Sequence, residues 1–402
     1  MDSYGSHCTK PACQRRPDRK PQTKFLVTLF TTMLLVCGKA SFTNLSRYSS
    51  LSERTYRRQY QKDFEFAPFN QALITQASRT GAAMLAVMDC SFVTKSGKAT
   101  FGLDAFWNGC ASRVETGLEV SVVGIVDTES EQAYALSAEQ TYAQFSLSEF
   151  SRMDQYLYHL DCVRPHLPAQ VEYLAVDGAY AKESFVSGAI ALGLHIISKL
   201  RCDANLQFLY TGVQKRRGRP RKYAGKVDLS DLSGFTFVES VQPDVDLYTA
   251  VVWHVSLKRT IRVAYLVDGR HPTRVRTCLL FSTDVEQDPR QILQYYKLRF
   301  QIEFLFRDAK QFTGFEDCQA HDAVKLAFHF NASLTALNLA KFEAIEQHSG
   351  AEPFVFSLAS VKRRMLNQHL LERFICNLDL EPSQIKSHPN YSTLCNYGII
   401  AA

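Results

Sequence analysis

No two of the chain's eleven cysteines stand in the C-x2-C spacing of a zinc ribbon or a redox motif, and their number is odd. Cys8, Cys13, Cys37, Cys90, Cys110, Cys162, Cys202, Cys278, Cys318, Cys376 and Cys395 are scattered along the sequence. That excludes a disulfide framework and points to free thiols in a reducing compartment. Cys8 and Cys13, with His7 beside them, are the one faint metal candidate. A membrane-spanning run is also lacking. The apolar stretch Phe25 to Cys37 has 13 residues and contains three threonines, where a span needs about 20. It follows a basic stretch as the core of a signal peptide would, but no small-residue cleavage site succeeds it. It reads as a buried helix. Neither charge sign dominates: 46 Lys and Arg face 40 Asp and Glu, a net +6.

The excess of positive charge is local. From Met1 to Lys62, twelve Lys and Arg face three acids, Asp2, Asp18 and Glu53. A second run is Lys215-Arg216-Arg217-Gly218-Arg219-Pro220-Arg221-Lys222. Basic clusters on a near-neutral body fit a polyanion held at particular places. With 46% hydrophobic and 21% charged residues, the composition is that of a globular protein large enough for two or three domains.

Met1 to Lys24 is rich in Pro, Lys and Arg without periodicity, the pattern of a disordered leader. Residues 25–75 read as a small helical domain. Within it, Phe42 to Tyr48 and Glu53 to Lys62 have the shape of helix, turn, helix, with Ser52 as N-cap of the second. That second helix carries Arg54, Arg57 and Arg58 as a DNA-reading helix would. Without a turn glycine, an ordinary basic hairpin fits equally well.

Residues 76–202 alternate between strand and helix signals. Ala83 to Met88 is a short apolar run closed by Asp89. Leu118 to Val126 and Ala133 to Ser137 read as strands, Phe145 to His166 as a helix, and Val171 to Val176 as a strand closed by Asp177 and Gly178. Ala181 to Leu192 is helical and His195 to Leu200 a further strand. The expectation is a mixed sheet covered by helices. Residues 203–286 hold the basic run and then strands at Phe235 to Val241, Leu247 to Lys258, Thr260 to Asp268 and Thr277 to Ser282. Residues 287–345 and the C-terminal region 346–402 are mostly helical.

The segment YYKLRFQIEFLFRDAKQ carries the most chemistry. Read as one helix with Tyr296 at zero, Arg299, Glu303, Arg307 and Lys310 fall at about 300°, 340°, 20° and 320°. All five share an arc roughly 80° wide, and Leu298, Ile302, Leu305 and Ala309 form an apolar back. A lone carboxylate flanked by cations suits phosphate and metal; a solvated face with Glu303 paired to Arg299 and Arg307 is the plainer reading.

Tyr296-(2)-Arg299-(3)-Glu303-(6)-Lys310 resembles the Y-(2)-R-(3)-E-(6)-K signature of the insertion-sequence-four family of bacterial DDE transposases. The segments MLAVMDCSFVTKSG, with Asp89, and VEYLAVDGAYAKESF, with Asp177, agree with it, and so does a β-rich insertion before the glutamate helix. The similarity extends roughly from Asn44 to Asn338. It implies an α/β, ribonuclease H-like mixed sheet flanked by helices, in which strands one and four lie side by side and bring Asp89 to Asp177. It further implies that Asp89, Asp177 and Glu303 are catalytic and hold two Mg²⁺ ions, for which Mn²⁺ substitutes. Tyr296, Arg299 and Lys310 would grip the transposon end; Arg307, on the same stripe, is a further DNA-binding candidate. The partners would be double-stranded DNA, as inverted repeats and target, and a second copy of the chain on that DNA, without a membrane. The place would be the bacterial cytoplasm, at the nucleoid. A structure-specific nuclease of the same fold and a silent DNA-binding derivative are the alternatives. Arg217, Arg219 and Arg221 resemble an AT-hook for a narrow minor groove; a flexible loop touching only phosphates is the other reading. Trp253 is a stacking platform for a displaced base, or a core residue.

Overall fold

The computed structural model of the chain describes residues 20–78, 81–142, 150–271, 273–347 and 356–400. Four helices come first: α1 (Lys20–Leu35), α2 (Phe42–Arg47), α3 (Glu53–Gln59) and α4 (Phe66–Ala77). The leader, expected to lack structure as far as Lys24, is thus helical from Lys20. The residues before it, including His7, Cys8 and Cys13, lie outside the described ones. Ser41 and Ser52 cap α2 and α3, each accepting a hydrogen bond from the backbone N–H three residues on. The apolar face of α1 (Phe25, Leu29, Met33) is buried, and no helix among the described residues is long and apolar enough to cross a membrane.

The centre is a mixed sheet. Its first strands are β1 (Met84–Thr94), β2 (Asp104–Asn108), β3 (Arg113–Asp127) and β4 (Gln132–Thr141). Helix α5 (Arg152–Val163) follows, then β5 (Tyr173–Val176), α6 (Glu183–Ala191) and β6 (His195–Leu200). The helix expected from Phe145 starts later, because Ser151 and Asp154 build a capping box there; residues 145–149 lie outside the described ones. The edge strand β2 was not expected. The insertion contributes β7 (Leu206–Leu209), β8 (Tyr223–Lys226), β9 (Thr236–Gln242), β10 (Val245–His254), β11 (Arg259–Asp268) and β12 (Arg276–Ser282). It extends the same sheet, because β12 pairs antiparallel with β6. The order across the sheet is β2-β3-β1-β5-β6-β12-β11-β10-β7-β8, with β4 on β3 and β9 on β10.

Helices close the chain: α7 (Pro289–Leu298), α8 (Gln301–Asp308), a π-helical turn (Ala309–Thr313), α9 (Ala323–Gln347), α10 (Leu358–Asn377), α11 (Pro382–Ser387) and α12 (Pro389–Cys395). Alternation along β1 sends Leu85 and Val87 into a core shared with α8 and α9, and Met84, Ala86 and Met88 into a second core shared with α5 and α6. The sheet is therefore covered on both faces. The free edge of β4 is closed by side chains of α9. Asn338 bonds both the N–H and C=O of Ala135, Asn331 those of Ala138, and Lys341 donates to the Ala133 carbonyl. These bonds satisfy backbone groups that an edge strand would otherwise present to another chain.

Candidate active site

Two register facts bring the aspartates together. β1 and β5 are parallel, and their pairing covers Ala86–Leu174, Val87–Ala175 and Met88–Val176. The next residues are Asp89, still on β1, and Asp177, just past the end of β5, so the register sets the two side by side. Asp89 is not at a strand end, as the apolar run had led us to expect. β1 continues to Thr94 because Cys90 to Thr94 keep their pairing with β3. Asp177 begins a 3-10 turn (Gly178–Tyr180), is exposed, and its carbonyl accepts from Ser198 Oγ at 3.0 Å. Gly178 allows a close approach there, since a Cβ would lie 3.0 Å from the Lys199 carbonyl oxygen, a contact tighter than most side chains make.

The glutamate arrives from the side. The expected apolar back, Leu298, Ile302, Leu305 and Ala309, is at most 3% exposed. Full burial of Leu298, Ile302 and Leu305 is worth roughly 1.5–3 kcal/mol each, which fixes the segment on the sheet. Gly124 of β3 lies under it: a Cβ there would be in ordinary contact with Leu305 Cδ1 at 3.6 Å, and its tight approach, 3.0 Å, would be to the Tyr134 carbonyl oxygen of β4. The segment is not one regular helix, however. The bonds Phe300 N–H to Lys297, Ile302 N–H to Arg299 and Glu303 N–H to Phe300 tighten to i→i−3, and a turn at Arg299 and Phe300 separates α7 from α8. The π-helical turn then shifts Lys310 relative to the stripe, and Gly314 (φ 75°) ends it in the left-handed region.

Arg299 is the hub of the site. Its Nη1 lies 3.3 Å from Asp89 Oδ2 and its Nη2 3.0 Å from Glu303 Oε1. It is buried, its Cζ stands 5.6 Å from the Tyr296 ring centre, and its Nε has no hydrogen-bond partner. Burial opposes its charge, but Asp89, Tyr296 and Glu303 outweigh that and raise its pKa. Burial pushes the Asp89 carboxyl up to about 6; the Cys90 N–H and Arg299 pull it down, while the charges of Asp177 and Glu303 add to the rise. The three carboxylates thus feel one another at Asp89. Burial likewise pushes Tyr296 up to about 12.

The remaining expected residues divide. Lys310 points inward: its Nζ donates to the Phe92 carbonyl at 2.6 Å and pairs with Glu316 at 2.8 Å. Arg307 is exposed, pairs with the adjacent Asp308 and stacks over Phe304. Arg54, Arg57 and Arg58 are exposed on α3, but Arg57 is tied to Glu53 (Nε–Oε1 2.8 Å) and lies over Phe42. Arg57 also lines an open cleft of about 800 Å³ of mixed charge, with Lys39, Lys95 and Lys325 facing Glu316, Asp317 and Asp322; Glu316 is the residue paired to Lys310. Arg217 and Arg219 are exposed on a loop closed by Gln214, whose amide bonds both the N–H and C=O of Arg221. Arg221 departs from an AT-hook strip, since its guanidinium donates to the Tyr223 and Ala224 carbonyls and covers the Tyr210 ring. Trp253 is half-buried on β10, 5.9 Å from the Tyr223 ring. Two residues that the sequence reading passed over flank Glu303: Phe300 and Phe304, exposed aromatics with ring centres 5.4 Å apart. Their four-residue spacing on the rim of the stripe was the available signal.

Three carboxylates are a donor set of the right chemistry for a hard divalent cation. In the present arrangement Arg299 holds two of them, Asp89 and Glu303, and among the described residues no group of three or more His, Cys, Asp or Glu side chains is set to hold a metal.

A mixed sheet flanked by helices, with these acids at its centre, is consistent with the fold of a DDE transposase. Residues 152–339 match the family described as Transposase DDE domain. The chain therefore carries a transposase DDE domain, a domain of catalytic DNA transposases, which bind DNA and generally use divalent metal ions. The matched span runs from the start of α5 into α9, so it includes Asp177 and Glu303 and leaves Asp89 outside. No curated protein matches the chain.

Proposed function

We propose that the protein is a cut-and-paste transposase of the insertion-sequence-four family. On this reading it excises DNA at terminal inverted repeats and joins it to a target, with a ribonuclease H-like core and with Asp89, Asp177 and Glu303 as the catalytic carboxylates. The observation that carries it is the convergence of those acids: a parallel register sets Asp89 beside Asp177, and one guanidinium links Asp89 to Glu303. The same acids would hold two Mg²⁺ ions, or Mn²⁺ in their place, and such ions activate an attacking oxygen and stabilise a leaving one.

The chain's own residues supply the remainder. The cleft by Glu316 carries charge of both signs, Lys39, Arg57, Lys95 and Lys325 against Glu316, Asp317 and Asp322, and Lys39 and Lys95 are the cations it would turn to a DNA backbone. Phe300 and Phe304 offer ring faces to an unstacked base at the cut end. Arg54 and Arg58 on α3, and Arg217 and Arg219 on the insertion loop, give further contacts away from the acids, suited to holding repeat DNA. Two ends must be processed together, so the working form is a homodimer on DNA, in the bacterial cytoplasm. Purified protein, Mg²⁺ and a plasmid carrying the flanking inverted repeats test this reading on a sequencing gel. Cuts at the repeat ends followed by joined products support it. Cuts without joining make the protein a structure-specific nuclease, and binding without cuts makes it a silent derivative.

A further inference from the structure

Arg299 stands where a cation is needed but is not a metal. One guanidinium spans two acids from distant parts of the chain, Asp89 on β1 and Glu303 on α8. An arginine does not release its proton in a protein, so it cannot yield this place by titration. It can leave only by moving. Three observations favour movement. Its Nε is buried without a partner, so its bonding is incomplete where it lies. It sits at the turn between α7 and α8, where the helical bonds are already rearranged. The planar fork that now meets two carboxylates matches a phosphate equally well.

We propose that Arg299 is an internal stand-in for the metal: it keeps the DNA-free protein closed to divalent cations, and it opens the acids by swinging onto a DNA phosphate. The inference rests on the reading of Asp89, Asp177 and Glu303 as the metal-holding set. Withdrawing the guanidinium leaves Asp89 and Glu303 without their counter-charge, with Asp177 next to Asp89 in register, an arrangement a divalent ion relieves. DNA and metal would then load together. Because linkage is reciprocal, the factor by which DNA tightens metal binding equals the factor by which metal tightens DNA binding. DNA-free protein would hold no loaded site with which to attack bystander phosphodiesters.

The test is Mn²⁺ titration of the DNA-free full chain, followed by electron paramagnetic resonance. Wild type, Arg299→Gln, Asp89→Asn, Glu303→Gln and the double variant Arg299→Gln/Asp89→Asn are compared. Arg299→Gln should bind Mn²⁺ at least about tenfold more tightly than wild type, and the double variant should lose that gain. A mixed-sequence duplex at low salt should tighten Mn²⁺ binding to wild type and leave Arg299→Gln unchanged. Mn²⁺ should also raise the melting temperature of Arg299→Gln more than that of wild type. Arg299→Lys, whose single ammonium cannot span both acids, serves if the glutamine variant does not fold, and should show a smaller gain of the same sign. If Asp89→Asn weakens Mn²⁺ binding while the arginine variants bind no tighter than wild type, the stand-in role is wrong and the carboxylate reading survives. If no variant alters Mn²⁺ binding, the carboxylate reading falls and the inference falls with it.

Discussion

Replacing Lys310 by Met tests whether the last residue of the signature serves DNA or the fold. The side chain keeps its length and loses its charge. In the structure its ammonium donates to the Phe92 carbonyl at 2.6 Å and meets Glu316 at 2.8 Å. Phe92 lies on β1 three residues beyond Asp89, so Lys310 ties the end of the glutamate helix to the strand that carries the first aspartate. A hydrogen bond from a charged donor contributes about 1.5–3 kcal/mol. The partly exposed pair with Glu316 adds about 1 kcal/mol at most. Lys310→Met should therefore lower stability by roughly 2–3 kcal/mol, read as a fall in the urea midpoint with the slope unchanged. Glu316→Gln should cost about 1 kcal/mol or less, and the double variant should show coupling between the two. Affinity for DNA should fall less than tenfold, because the ammonium is turned into the protein. A stability loss below about 0.5 kcal/mol, within the range of an ordinary surface change, together with a large loss of DNA affinity, would refute this assignment and return Lys310 to the DNA face.

Other substitutions give readouts that do not depend on the metal. His159, buried between Ser121 and Ser137, is held down to about 3 by burial. Its unfolded form takes a proton below about 6.5, so its contribution is present above that pH and is lost as pH falls toward 3, at about 1.4 kcal/mol per unit. His159→Gln should remove that slope between pH 6.5 and 4 in urea unfolding; an unchanged slope would mean the imidazole is protonated in the fold. On the insertion loop, Arg217→Ala with Arg219→Ala should reduce the salt slope of DNA binding by about 2. Arg221→Ala should instead loosen the loop, exposing it to protease, and an equal loss of salt slope from Arg221→Ala alone would contradict its internal role.

Much of this fold was legible because periodicity reports which face of an element is apolar. The back of the glutamate helix and the strands around Asp177 follow from that signal alone. Ser52 announced the start of α3 through capping chemistry. What periodicity does not report is depth or partner. Arg299 and Lys310 share a stripe with Glu303, and the stripe suggested a face turned to DNA. Which way a long cation turns depends on what is brought beside it, and β1 lies more than two hundred residues away in sequence. β1 was read too short because Asp89, Cys90 and Ser91 interrupt the apolar run, although pairing with β3 carries the strand through them. The turn between α7 and α8 has neither Gly nor Pro to mark it. Arg221 looked like one more free charge, and Tyr210 and two backbone carbonyls claim it.

The most direct test of the account is cleavage of repeat-end DNA in Mg²⁺ by wild type, Asp89→Asn, Asp177→Asn and Glu303→Gln, with DNA binding measured alongside. Wild type should cut at the repeat end and leave a 3′-OH. Each variant should bind the same DNA and cut it at least roughly a hundredfold more slowly, the loss expected when one group that stabilises a transition state is removed. Any one of the three variants cutting at the wild-type rate would contradict the convergence of Asp89, Asp177 and Glu303 into a single catalytic site.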